Sequence, residues 1–473
     1  MKKPPKKHEY IMKTADLAMA LTGKDDISFE DIESVHALAL SSSVTGAGGK
    51  YLHWQDICNR TSSGRKALAR WTLIKIARSY HLAPVTGLDG VLGTGATFMS
   101  TAQIMKAVSL ADRHCTVAGL NEIQQNYHLH DTAFSIFADE ESIASSQMEG
   151  AATTRAVAKK MLQEGRRPRT ESESMIVANQ RLMNLAWEKR FEDLSIDLLL
   201  EFHVAASKGI DDGKYQPGKI RRTDDIYVEG RDGEKVHQPP PASELNDILG
   251  RFMLWVNRDH AGAPVITRTE EPRYMHPLIK ACIIHFCMGF IHPFRDGNGR
   301  VARALCYWQL FRSGYEAFRY ISVSRLLKEA PVKYGEAYLK SETDDMDLTY
   351  FIDYQCSIFE RAISGIMDYA RMSADKLREL DNWMFVTGLG HKVTGTCRLL
   401  LNSAICTPDR TFTIKELAEK AGISATAARN NLEEMVIAGI FIKRRGGGAR
   451  PDHYAVKQQS TDKLKKAISK LIK

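Results

Sequence analysis

The sequence predicts a mainly α protein: a helical core carrying one β-hairpin flap, followed by a small C-terminal winged helix-turn-helix domain. Three observations carry this. Apolar residues recur at helical spacing through most of the chain, as in SGRKALARWTLIKIARSY (63–80). The pattern is interrupted once in the middle, at TDDIYVEGRDGEKVHQPPP (223–241). From about residue 393 it changes to two short helical segments and a glycine-tipped basic hairpin.

Taken in order, residues 1–110 read as an N-terminal helical region with a Gly/Ser/Thr-rich loop at 41–49. GLDGVLGTGATF (87–98) lacks the GxGxxG spacing and a preceding β-branched strand, so it reads as a loop and not as a nucleotide cradle. Residues 111–375 form the main helical body. Within 223–241, Ile226, Tyr227 and Val228 alternate like a short strand, GRDG supplies a turn, and three prolines end the pairing. This predicts an exposed hairpin; the alternative is a surface loop. A linker helix is expected at 376–392. Over 393–457, a first helix ends at Gly422, a second at Gly439, and FIKRRGGGARPDHYAV closes a wing. The tail, 458–473, places Leu464, Ile468, Leu471 and Ile472 on one stripe with lysines opposite.

Composition narrows the function classes. The chain has 473 residues, 44% hydrophobic and 26% charged, which suits two to four folded domains and leaves little room for long disorder. No apolar run is long enough to span a membrane, and the basic start, MKKPPKKHEY, has no apolar stretch behind it. The eight cysteines include no CxxC pair and read as reduced core residues of a cytoplasmic protein, without a cysteine metal site. The net charge of +8 is concentrated beyond Lys443, so any attraction to an acidic partner belongs to the C-terminal end.

The chemistry concentrates in HPFRDGNGR, 292–300. It follows the apolar run HPLIKACIIHFCMGFI, and the HP step forces the helix to end at His292. The imidazole is then a candidate base at a helix exit, and Phe294 a candidate inward anchor. Asp296 offers a hard oxygen ligand suited to Mg²⁺. Gly297, Asn298 and Gly299 can aim successive backbone N–H groups at one anion, helped by the dipole of a following helix. Arg300 and Arg303 supply bidentate phosphate donors. Base, magnesium ligand, anion nest and two arginines together describe phosphoryl or nucleotidyl transfer.

From His292 to Arg303 the stretch resembles the Fic family motif, HxFx(D/E)GNGRxxR, at every defined position. PLIKACIIH, PGKIRR and the 223–241 hairpin resemble the family's preceding helix and its target-docking flap, so the similarity spans residues 140–355. The resemblance implies transfer of AMP from ATP to a Ser, Thr or Tyr hydroxyl of a protein docked at Ile226, Tyr227 and Val228. His292 would be the base and Asp296 the Mg²⁺ ligand. Gly297, Asn298 and Gly299 would cradle phosphate, with Arg300 and Arg303 neutralising it. Two places depart from the family pattern: Gly289 stands where Glu often occurs, and YGEAY (334–338) where a paired aromatic lines the base pocket. His285 reads as a core histidine.

SSQMEG (145–150) matches the family's inhibitory pattern, (S/T)xxxE(G/N), through Ser145, Glu149 and Gly150, on an expected helix near 140–155. A Glu149–Arg303 pair would deny that arginine to the γ-phosphate. In some relatives the same glutamate positions water to remove AMP, so writer, eraser and switchable enzyme stay open. So does a DNA-binding regulator acting through Arg429, Asn430, Asn431 and the wing residues Lys443, Arg444, Arg445 and Arg450. A packing or homo-oligomer module is the bland reading of that domain.

Overall fold

The structure, a computed structural model, describes residues 44–471 apart from 62–63, 94, 127–133, 135–136, 138, 210–215, 231–232, 259–273, 408–409, 446–450 and 458–459, together with isolated positions 19, 33, 34 and 37. The basic N-terminal stretch, part of the 41–49 loop, Arg231 and Asp232 at the hairpin tip, Arg450 and Ile472 lie outside these residues.

Helices dominate. In chain order they begin with α1 (Trp54–Arg60), α2 (Gly64–Ser79), α3 (Asp89–Leu92), α4 (Ala102–His114) and α5 (Val117–Asn126). They continue with α6 (Glu140–Met148), α7 (Arg155–Gln163), α8 (Glu171–Glu188), α9 (Ile196–Ser207) and α10 (Leu245–Asn257). At the centre lie α11 (Pro277–Ile291) and α12 (Asn298–Arg312), which pack on each other. Both are buried on nearly every side: α11 is apolar along most of its length, and α12 buries Arg300, Arg303 and Gln309 among apolar residues such as Val301, Leu305, Trp308 and Phe311. Proline at the first turn and the His276 ring, which accepts from Leu278 N at 3.1 Å, start α11. His292 and Pro293 stop it, as the sequence predicts.

Two expected boundaries are not breaks. Residue 110 falls inside α4, whose Ile104, Ala107 and Ala111 belong to the main core with Val85, Leu88, Val91 and Leu92. The 87–98 loop is likewise not wholly irregular: its apolar residues form the α3 turn, and Thr97–Phe98 (β2) pairs with Ala83–Pro84 (β1). After α13 (Val323–Glu329) and α14 (Pro331–Thr343), helix α15 runs unbroken from Thr349 to Val386, across the boundary expected at 375. Its first half feeds the main core through Phe351, Phe359 and Ile363, and its last turns supply Leu380 and Met384 to a second one. A helix serving two cores shows no compositional seam.

The second core gathers α16 (Gly395–Cys406), α17 (Ile414–Ala421) and α18 (Ala425–Ile437) against a three-stranded sheet. The hairpin strands occupy β3 (Val228–Glu229) and β4 (Lys235–His237), and the sheet is β5 (Thr411–Phe412), β6 (Phe441–Arg444) and β7 (His453–Val456), in the order β5-β7-β6, all antiparallel. The tail stripe is spent internally. In α19 (Thr461–Leu471), Leu464 and Ile468 are buried in this core, and Lys465 pairs with Glu379 of α15 at 2.6 Å. Among the described residues no helix is long and apolar enough to cross a membrane. All eight cysteines are unpaired.

Candidate active site

The loop between α11 and α12 is over-determined. His292 caps α11 in the left-handed region, φ 48° and ψ 58°, a conformation that costs a non-glycine residue about 1 kcal/mol. Its Nδ1 lies 3.2 Å from the Gly289 carbonyl, which can only accept, so Nδ1 carries the proton and Nε2 keeps its lone pair. Burial lowers the ring's pKa to about 4, a shift the Gly289 and Glu149 interactions only partly offset. The imidazole is therefore neutral near pH 7, the state a base needs.

Beneath it, Phe294 is fully buried and stacks on His203 of α9, ring centroids 3.8 Å apart and 8° from parallel. Gly218 N donates to His203 Nδ1 at 3.1 Å, which leaves Nε2–H to donate to the Asp296 carbonyl at 3.1 Å. Asp296 Oδ1 accepts from Gly297 N at 2.5 Å, while the carboxylate remains partly exposed. One half-exposed carboxylate beside an anion nest fits magnesium, which is commonly held by one or two carboxylates plus substrate phosphate. Asn298 differs from expectation. Its Oδ1 accepts from Phe294 N at 3.0 Å and its Nδ2 donates to Phe294 O at 2.8 Å, so the side chain closes the loop.

Gly297, at φ 78°, is the N-cap of α12 and needs the freedom of glycine. Gly299 needs space. A methyl there would stand 2.4 Å from Glu149 Oε1 and 3.1 Å from Arg303 Nη1, so the Glu149 carboxylate packs directly against Gly299. Glu149 Oε1 accepts from Arg303 Nη2 at 2.7 Å, and Arg303 also donates to Ser145 Oγ at 2.9 Å and Ser145 O at 3.2 Å. Burial alone would raise the Glu149 carboxyl, but Arg303, with Arg300 and His292 behind it, holds it below the usual range. Gly150, at φ 98°, turns the chain just after it. Arg300 is fully buried and donates to the Ala206 carbonyl at 2.6 Å, under the loop.

The flap stands beside this loop. Of the expected strand only Val228 joins the ladder, followed by Glu229 with a register shift between them; Ile226 and Tyr227 precede it. The Ile226 carbonyl accepts from Gln238 at 3.2 Å, and Lys235 lies 4.0 Å from the Tyr227 ring centre. On β4, both nitrogens of His237 face acceptors, Glu342 Oε2 and Phe290 O, each at 2.8 Å. Burial opposes a charge there, yet Glu342 and the carbonyl prevail and raise its pKa. On the other side of α11, His285 is buried as expected, its Nε2 2.8 Å from Tyr334 Oη. Gly289 leaves room for Tyr338, whose hydroxyl a methyl there would approach to 2.7 Å.

Sequence reading missed four groups. His203 had no motif to mark it, and Arg221 lay within PGKIRR without being singled out; their signal is burial, at 1% and 3% exposure. His237 hid in the hairpin, and Glu141 carried no sequence signal. Glu141 is in fact buried and accepts from Tyr307 Oη at 2.9 Å, Ser322 Oγ at 3.0 Å, Ser324 N at 2.9 Å and the Ser324 hydroxyl, which pins the start of α6.

Comparison with known proteins agrees with this region. Residues 193–310 match the Fic/DOC family. The chain is 28% identical over 211 residues to the protein adenylyltransferase Fic of Culex quinquefasciatus, covering 44% of this chain and 37% of that one. It is 32% identical over 123 residues to the Drosophila melanogaster protein of the same name, covering 26% and 21%. The matches thus span well under half the length of those relatives. A Fic family protein from Desulfovibrio desulfuricans G20 superposes with a TM-score of 0.45 at 18% identity, over 76% of this chain and 98% of that one. Fic-1 from C. elegans gives 0.44 at 16% identity, over 76% and 100%.

Proposed function

We propose, from the premise that this chain carries a Fic/DOC domain, that it is a protein adenylyltransferase held in check by its own Glu149. The observation that carries the reading is one contact: the Glu149 carboxylate lies over Gly299 and occupies Arg303, facing a neutral histidine. An anion nest covered by a carboxylate on a separate helix is a site with a removable plug.

With the plug displaced, the α12 N-terminus and the Gly299 amide would hold the triphosphate, the Gly297 N–H being taken by Asp296 Oδ1, and Arg303 would hold its outer end. Arg300 lies directly beneath and adds positive charge. His292 Nε2 would take the proton of a target hydroxyl as that oxygen attacks the α-phosphorus. The bond to the β-phosphate bridging oxygen breaks, and pyrophosphate leaves with AMP on the protein. A magnesium ion held at Asp296 would supply charge neutralisation between the phosphates. A target segment would pair along the flap at Ile226, Tyr227 and Val228.

A second reading, removal of AMP by water, draws on the electrostatic contact of Glu149 with His292 and on the 24% exposure left to the Glu149 side chain. A DNA role for the C-terminal domain has less support. Arg429 and Asn430 are exposed, but Lys443 of the wing is paired with Glu433 at 2.5 Å and Asp452 at 3.4 Å.

Incubation with labelled ATP and Mg²⁺ separates these readings. Glu149→Gly is expected to label itself or a target, and His292→Ala in that background to abolish the label. A silent Glu149→Gly protein would sink the transferase reading. Loss of AMP from a modified partner with wild type but not with Glu149→Gly would establish the eraser.

A further inference from the structure

The flap and the catalytic loop share one buried guanidinium. The Arg221 side chain has no exposure, and its Nε donates to the carbonyl of His292 at 3.0 Å. Nη1 reaches the Thr223 carbonyl at 3.2 Å and Asp224 Oδ1 at 3.0 Å, where the flap leaves the body. Nη2 donates to the Pro240 carbonyl, where the flap returns. Asp224 Oδ1 also accepts from Ala242 N at 2.7 Å, and Arg221 N donates to Pro293 O at 2.9 Å. Both feet of the hairpin and the left-handed turn at His292 thus converge on a single planar fork.

We propose that Arg221 is a positioning residue that fixes the target-docking flap in register with the base, His292. The inference rests on the transferase reading and adds to it the part that couples docking to chemistry. The left-handed conformation of His292 is unfavourable in isolation, so something must hold it. Arg221 holds its carbonyl, and the same group sets the spacing of the flap feet. A hydroxyl on a segment paired with β3 then arrives at a distance from Nε2 set by one rigid group. Three backbone carbonyls and a carboxylate in a fixed fork cannot be served by a lysine, which offers one flexible ammonium. A weaker tie lies outside: Arg295 pairs with Asp225 at 2.8 Å, both partly or largely exposed.

The test uses full-length protein carrying Arg221→Lys, with Arg221→Ala beside it and Arg295→Ala as the exposed comparator. Amide hydrogen exchange comes first and requires no activity. In Arg221→Lys, amides of 226–229 and 235–237 should exchange about tenfold faster while the interiors of α11 and α12 are unchanged. In the Glu149→Gly background, transfer per nucleotide-binding site should fall on the order of a hundredfold, the cost of a misplaced reacting group. KM for a protein target should rise while KM for ATP stays within about twofold; Arg295→Ala should do much less. Unchanged flap exchange in Arg221→Lys overturns the proposal, as does a parallel loss of ATP and target binding. If Glu149→Gly labels nothing, the transferase reading falls and the exchange result alone decides the role of Arg221.

Discussion

Replacing Asn298 with alanine tests whether its side chain braces the loop or touches phosphate. The amide makes two bonds to Phe294, at 3.0 Å and 2.8 Å, and Asn298 is 2% exposed. Their loss removes about 1 kcal/mol each. The Phe294 N–H and C=O are then buried without partners, at about 1–3 kcal/mol each when no water replaces them. At the lower end these terms sum to about 4 kcal/mol, which for a large domain lowers Tm by roughly 8 °C. Asn298→Asp should fare no better, because a carboxylate keeps the acceptor but cannot donate to Phe294 O. Thermal or urea unfolding gives the stability and isothermal titration the nucleotide affinity, both in Glu149→Gly. Tenfold weaker nucleotide binding at an unchanged unfolding midpoint would refute the brace and return Asn298 to the phosphate.

Three further outcomes are expected. His203→Phe keeps an aromatic face for Phe294 but abandons the Gly218 N–H and the Asp296 carbonyl, and should cost about 2 kcal/mol in urea unfolding; a neutral result would mean the ring only fills space. Glu141→Ala leaves the hydroxyls of Tyr307, Ser322 and Ser324 without their shared acceptor, so α6 should loosen and labelling should rise above wild type while staying below Glu149→Gly; no gain would separate that anchor from the plug. For pH, burial depresses the His292 pKa to about 4, so the acid limb of labelling should lie near pH 4 and not near 6.5, read from a rate profile or the ring's NMR titration. The depressed value means that the stability His292 contributes is present above its unfolded pKa and is lost as pH falls through the folded one. His237, whose pKa is raised, has the opposite sign, its contribution full below the unfolded value and lost as pH rises through the folded one.

Local chemistry was legible wherever it is local in the chain. Pro293 ends α11 because proline excludes the helical conformation from the residue before it, whatever surrounds it. Gly297 marks a left-handed N-cap for the same kind of reason. The expected partner of Glu149 was also found at Arg303, 154 positions away, because an inhibitory motif and a phosphate motif each carry their own signature. Legibility failed where a residue's task is set by what folds against it. Asn298 resembled a phosphate ligand until its amide met Phe294, and nothing in the sequence singled out Glu141, over which Ser322 and Ser324 close. Residues 110 and 375, expected as boundaries, fall inside α4 and α15, continuous helices whose role changes with their neighbours.

The sequence by itself determined the mainly helical class, the hairpin, and the set of groups from His292 to Arg303 that can handle an anion and a proton. Periodicity, proline and glycine act over a few residues and need no tertiary partner to be read. Tertiary structure alone decided which groups are available. It neutralised His292 by burial, spent the amide of Asn298 on the loop, and laid the Glu149 carboxylate over Gly299. It also gathered both feet of the flap onto Arg221. Desolvation, close approach and the pairing of buried charge depend on atoms distant in the chain, and no local pattern encodes them.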